Sequence, residues 1–153
     1  MALDRARLII LASGITAISF VVLSTVIFLA PPSFLDRQCG DCQSYYYPVA
    51  KNLLSGKGLK TVSGEPAYAR PPGHVFILAG VMAAGMALGI KEESTIYLFN
   101  SLAIACSAAL LFLIGCRYWS MAASTVISVL WIVNPFVLWV DAHADLNTRK
   151  SSG

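Results

Sequence analysis

The chain has 153 residues, of which 57% are hydrophobic and only 12% charged, with a net charge of +3 and a mean hydropathy of +0.69. Soluble domains use about 45–50% apolar residues, so this composition predicts an all-α integral membrane protein. The small positive charge, without a basic patch interleaved with aromatics, excludes nucleic acid as a partner.

The first element is a charge-free run from Leu8 to Ala30, preceded by Arg5 and Arg7 and followed by Pro31-Pro32. It is long enough for a hydrocarbon core of about 30 Å. A secretory signal has an apolar centre of only about 7–15 residues, so the run reads as an uncleaved anchor over 8–30. The two arginines keep its N-terminus in the cytoplasm. A loop over 31–74 follows, non-cytoplasmic on that orientation. Three more apolar stretches come after it, at 75–90, 95–115 and 121–140. The last two are long enough to span. The first would reach roughly 24 Å as a helix, short of a bilayer, so it reads equally as a juxtamembrane or a spanning helix. The total is three or four transmembrane helices in a single membrane module, 1–153.

Within the loop, Asp41 or Ser44 can cap a helix over 45–54. Tyr46, Val49, Ala50 and Leu53 then recur at i, i+3, i+4 and i+7 and form one apolar stripe. Pro48 fits the first turn, and Gly56 stops the helix. The expectation is a short amphipathic helix with its tyrosines at the membrane interface. Beyond it, Gly58, Gly64, Pro66 and Arg70-Pro71-Pro72-Gly73 predict a turn-rich segment. Arg37, Lys51, Lys57, Lys60 and Arg70 outnumber Asp36, Asp41 and Glu65. That excess reads either as solvated surface charge or as a seat for an anion such as a lipid-linked phosphate.

Cys39 and Cys42 have the spacing of a redox pair or of half a zinc site. Zinc needs two further ligands, and His74 is the loop's only other soft donor, so the readings that remain are a local disulfide, two thiols without catalytic duty, and a redox pair. The pair resembles that of four-helix membrane oxidoreductases that pass electrons from a C-x-x-C to a quinone. Such a thiol–quinone enzyme needs a second cysteine pair as relay, and Cys106 and Cys116 stand far apart on one apolar stretch. A small non-enzymatic membrane subunit is a third reading.

Asp41, at the start of an amphipathic helix, is placed either as a cap or as a general base. Asp41, Tyr46, Ala50, Asn52-Leu53-Leu54, Gly56, Gly58 and Arg70-Pro71-Pro72-Gly73, followed by Asn134-Pro135-Phe136, occur in an order that resembles the N-terminal region of the C-fold multi-spanning glycosyltransferases. Protein mannosyltransferases using dolichyl-phosphate-mannose and the aminoarabinose transferases of lipid A belong to this group.

The resemblance implies transfer of a sugar from a polyprenyl-phosphate donor to an acceptor on the non-cytoplasmic face, with inversion. It implies Asp41 as base, Asp141 or Asp145 as second acid, and Arg70 as phosphate contact. Tyr46, which belongs to the pattern, and Lys57 and His74, which lie outside it, are further substrate-binding candidates, with interfacial packing as the other reading of His74. Its partners are membrane lipid and the lipid-linked donor. No cofactor is required by these motifs, and a divalent metal stays an open alternative. The family's pattern favours three spans plus two surface helices, and makes this chain the N-terminal part of a larger enzyme in the cell membrane.

Overall fold

A computed structural model describes residues 5–29 and 45–134. Among them the protein has five α-helices and no β-strand: α1 (Arg5–Leu29), α2 (Tyr47–Leu54), α3 (Gly73–Ala87), α4 (Glu92–Tyr118) and α5 (Met121–Ile132). Two of them are long and apolar enough to cross a membrane, over Arg5–Leu29 and Ser94–Tyr118, while α3 and α5 are shorter apolar helices. The chain divides into two compact units. One comprises α1, α4 from Leu98 onward, and α5; the other comprises α2, the following loop, α3 and the first turns of α4.

In the first unit many packed positions are small residues, with Leu23, Ile27 and Phe112 as the large buried side chains. Ala12 of α1 packs with Ala109 and Phe112 of α4, flanked by Leu8, Ile15, Leu113 and Cys116. Ser124 and Ser128 of α5 are buried. A Cβ built on Gly115 would sit 2.9 Å from the Ser124 Cβ and 3.3 Å from its Cα, so only glycine allows the backbones this approach. The Ser128 hydroxyl donates across the seam to the Ala108 carbonyl at 3.0 Å and within α5 to the Ser124 carbonyl at 3.0 Å. Large apolar side chains face outward instead: Ile9, Ile10, Ile18 and Val21 on α1, Leu110 and Ile114 on α4, and Val126 and Leu130 on α5.

The second unit has a core of large side chains. Val49 and Ala50 of α2, Val75, Leu78, Ala79 and Met82 of α3, Ala67 of the loop and Ile96 of α4 form one buried cluster. The predicted stripe on α2 is present, with Val49 and Ala50 buried and Tyr46 and Leu53 packed against the same cluster. Its partner is α3 rather than a lipid interface, because α3 offers an apolar face at the matching helical spacing.

Helix boundaries follow local chemistry. Tyr45 and Tyr46 form a π-helical turn ahead of α2, and the N-cap, Tyr46, has helical dihedrals and no side-chain cap bond, with Pro48 in the first turn. The expected cap by Asp41 or Ser44 lies outside the described residues. After Ser55, Gly56 at φ +74° ends the helix, its N–H donating to the Leu53 carbonyl at 3.1 Å. α4 starts earlier than the apolar run, at Glu92, because an acid in the first turn favours a helix N-terminus. α5 is capped by the Ser120 hydroxyl, which accepts from the Ala123 N–H at 3.2 Å, and it ends at Ile132. Pro135 lacks an N–H and disfavours helical dihedrals at Asn134, which fits this end; the rest of the expected 121–140 stretch, from 135, lies outside the described residues.

Candidate functional site

The loop between α2 and α3 is held by one side chain. The Asn52 amide donates to the Lys60 carbonyl at 2.8 Å and to the Thr61 carbonyl at 3.1 Å. Thr61 N–H bonds Glu65 O at 2.8 Å, and Ala67 N–H bonds Leu59 O at 2.9 Å. Gly56, Gly58 and Gly64 adopt positive φ, which L side chains rarely tolerate. The loop is therefore a folded clip whose end, Ala67, enters the core, and it delivers Arg70 to the start of α3.

There Arg70, Tyr46 and His74 meet. The Tyr46 and His74 rings lie edge to face at 4.8 Å. The Arg70 guanidinium lies 5.7 Å from the Tyr45 ring centre and 5.9 Å from that of Tyr46, within the range of a cation–π attraction. Tyr45 and Tyr46 stack edge to face at 5.3 Å. The Tyr45 hydroxyl is buried and has no hydrogen-bond partner among the described residues. Beside this cluster α3 begins after Pro72 with no side-chain cap, and its first intrahelical bond runs from Phe76 N–H to Pro72 O at 3.1 Å. The preceding N–H groups and the helix dipole add partial positive charge next to Arg70. Chemically the arrangement suits an oxyanion carried on an apolar body.

Three of the four substrate-binding candidates thus come together. The fourth, Lys57, is exposed in the turn after α2, and no contact among the described residues joins it to the cluster. Asp41, Asp141, Asp145, Cys39 and Cys42 lie outside the described residues. Among those described, no group of three or more His, Cys, Asp or Glu could hold a metal ion. Cys106 and Cys116 are free thiols. Ten positions apart on one helix, they are separated by about 15 Å of rise, so they do not form a relay pair.

Sequence reasoning missed two participants. Glu92, at the first turn of α4, accepts from Lys51 at 2.8 Å and from the Tyr47 hydroxyl at 3.4 Å, and Lys51 also lies 4.8 Å from the Tyr47 ring centre. Nothing in the pattern around Glu92 signals a partner 41 positions earlier. Tyr45, beside Arg70, was legible only as one of three consecutive tyrosines. Comparison with protein-family models, with curated proteins and with solved structures finds no match for this chain.

Proposed function

We propose that this chain is the N-terminal membrane module of an inverting, lipid-carrier-dependent glycosyltransferase of the C fold. The observation that carries the reading is the meeting of Arg70 and Tyr46, two residues of one sequence pattern, with His74 at the uncapped start of an apolar helix. Two helices long and apolar enough to cross a membrane support a lipid environment, as do the large apolar side chains left exposed on both.

In this reading Arg70 and the α3 N-terminus hold the carrier phosphate. Asp41 takes the proton from the acceptor hydroxyl or amine as that atom bonds the anomeric carbon from the opposite face. The carbon–oxygen bond to phosphate breaks, and the electron pair leaves with the carrier phosphate. Asp141 or Asp145 supplies the second acid.

The test measures transfer of a radiolabelled sugar from a polyprenyl-phosphate donor in membranes containing the protein. A hydrogen bond to a charged group contributes about 1.5–3 kcal/mol, so Arg70→Ala is expected to lower kcat/KM roughly 10- to 100-fold, with Arg70→Lys restoring part of it. Asp41→Asn is expected to abolish transfer while donor binding persists. Full activity in Asp41→Asn removes the base assignment, and unchanged donor affinity in Arg70→Ala removes the phosphate assignment.

A further inference from the structure

The described residues of the first unit, 5–29 and 98–134, include three cations, Arg5, Arg7 and Arg117, and no acid. The packing gathers all three at one end. From this we infer that this end binds the phosphate of an acidic phospholipid, with one of its acyl chains seated in the groove between α4 and α5. The inference rests on the membrane part of the reading above and goes beyond its transfer chemistry to a second, lipid-binding site.

The direction of α1 decides which residues share an end. Ala12 packs with Ala109 and Phe112, and burial along α1 continues through Ser19 to Leu23, about 16 Å of helix further on. Past Phe112, α4 ends at Tyr118, after only about 9 Å. Before Ala109, the part of α4 in this unit reaches back to Leu98, about 16 Å away. α5 turns back along α4, with Ser124 against Gly115 and Ser128 bonded to Ala108, so it offers no cover past Tyr118 either. Only an α1 antiparallel to α4 can be buried as far as Leu23. Counted from the Ala12 contact, Arg5 and Arg7 then stand about 8–11 Å up α1 and Arg117 about 8–12 Å up α4. The three are level.

This end is built for an anion on an apolar body. All three arginines are exposed, and no hydrogen bond or ion pair among the described residues takes up their guanidinium groups. Asp4, ahead of Arg5, lies outside the described residues. α1 and α5 begin here and α4 ends here, so two positive helix ends stand against one negative. Tyr118 and Trp119 are exposed beside Arg117, edge to face at 6.4 Å, and such rings settle at the headgroup level of a bilayer. A groove of about 480 Å³ leads away between α4 and α5, walled by Leu110, Ile114, Ile127 and Leu130, with Ser107 and Asn134 at its far end. Ile114 is one turn from Arg117, so the groove starts beneath the cations. An acidic diacyl lipid fits both parts, its phosphate on the guanidinium forks and a chain along the apolar walls. Free phosphate would use only the first, and a zwitterionic lipid would bring its own cation to the arginines.

The experiment reconstitutes the full chain in phosphatidylcholine nanodiscs containing phosphatidylglycerol of identical acyl chains, and counts retained lipids by native mass spectrometry. The parent chain is expected to retain phosphatidylglycerol at least about tenfold over phosphatidylcholine, and Arg5→Gln, Arg7→Gln and Arg117→Gln each to lower that preference about three- to fivefold. The triple Gln variant is expected to bring it to parity, the triple Lys variant to keep most of it, and Leu130→Trp, which fills the groove, to lower retention of both lipids. Equal retention of the two lipids by the parent overturns the inference, as does a preference that survives in the triple Gln variant. Displacement of the lipid by inorganic phosphate at constant ionic strength overturns it too, because the site would then hold a free anion. Unchanged retention in Leu130→Trp removes the acyl seat. The unaltered chain gives a second measurement: phosphatidylglycerol is expected to raise its unfolding temperature in detergent more than phosphatidylcholine does, and equal shifts count against the site. Alkaline carbonate extraction separates the two levels. A chain released by carbonate defeats the membrane reading and this inference together, whereas a retained chain without lipid preference defeats the inference alone.

Discussion

The two units of this protein differ in what they bury and in what they leave outside. In the first, most buried positions are small or polar, Ser19, Ser101, Ser124 and Ser128 with Ala12, Ala105, Ala108 and Ala109, and Leu23, Ile27 and Phe112 are its large buried side chains. Its large apolar residues are mostly outside. In the second, Val49, Val75 and Met82 are fully buried and Lys51, Lys57, Lys60 and Glu65 face outward. The difference teaches what each unit has for a solvent. Burying large apolar side chains releases free energy only where the alternative is water. Where the alternative is hydrocarbon, helices associate through close backbone approach and interhelical hydrogen bonds. The second unit packs as a small water-facing domain does, with one apolar helix face left over; the first combines small-residue seams with outward apolar side chains, a pattern that helices in lipid also use.

The largest expected effect breaks the second unit at its centre. Met82 is fully buried between α2, α3 and the start of α4, so Met82→Ala is expected to cost about 2–5 kcal/mol through lost burial and a residual cavity. Limited proteolysis in detergent reads this as rapid cutting at Lys57 and Lys60, while α4 and α5 stay protected. If the fragment spanning α4 and α5 melts together with the loop, the two units are not energetically separate and the comparison fails.

The corresponding test of the first unit adds volume. Gly115→Ala forces a Cβ against the Ser124 Cβ and backbone, and overpacking of this kind costs about 1–3 kcal/mol. The double variant with Ser124→Gly removes the opposing atoms and is expected to recover most of the loss. A double-mutant cycle on thermal stability in detergent reads the coupling; a coupling near zero means that the close approach does not hold the seam.

How much of this was legible in advance depends on which solvent wrote the signal. The charge-free run over 8–30 marked α1, and the i, i+3, i+4, i+7 spacing marked α2 with its stop at Gly56. The same counting misplaced the ends of α4, because it tracks apolarity and not capping: Glu92 and Arg117 lie inside α4, while the far end of 121–140 lies outside the described residues. The partner of the α2 stripe was not legible, since a lipid surface and a neighbouring apolar helix demand the same pattern. In the candidate site, Arg70 and Tyr46 could be named from their motif, and His74 from its place beside Arg70-Pro71-Pro72-Gly73. Their convergence depends on the clip that Asn52 closes, and Glu92 carries no local signal at all.

Asn52 therefore offers a sharper test of the water-facing unit. Its amide makes two hydrogen bonds to loop carbonyls, each contributing about 0.5–1.5 kcal/mol. Asn52→Ala is expected to release residues 58–67, with hydrogen exchange at Thr61 and Ala67 rising and polyprenyl-phosphate binding falling as Arg70 loses its support. Asn52→Asp is expected to do more damage, because a carboxylate has no hydrogen to give and repels both carbonyls. If Asn52→Asp binds donor like the parent chain, the loop does not position Arg70.

The smallest expected effect lies in the lipid-like seam. Ser128 shares one hydroxyl hydrogen between the Ala108 carbonyl across the seam and the Ser124 carbonyl one turn back, both at 3.0 Å. Ser128→Ala removes that donor, yet each carbonyl keeps its ordinary helical partner four residues on, so no acceptor is stranded. The hydroxyl volume lost is that of a single atom, too small for a damaging void. Interhelical hydrogen bonds in membrane proteins contribute about 0.6 kcal/mol on average, and the loss here is expected to be of that order, read as a small shift in the detergent unfolding midpoint. A loss several times larger would mean that the seam is desolvated from water rather than formed in lipid, and that the first unit obeys the same solvent as the second.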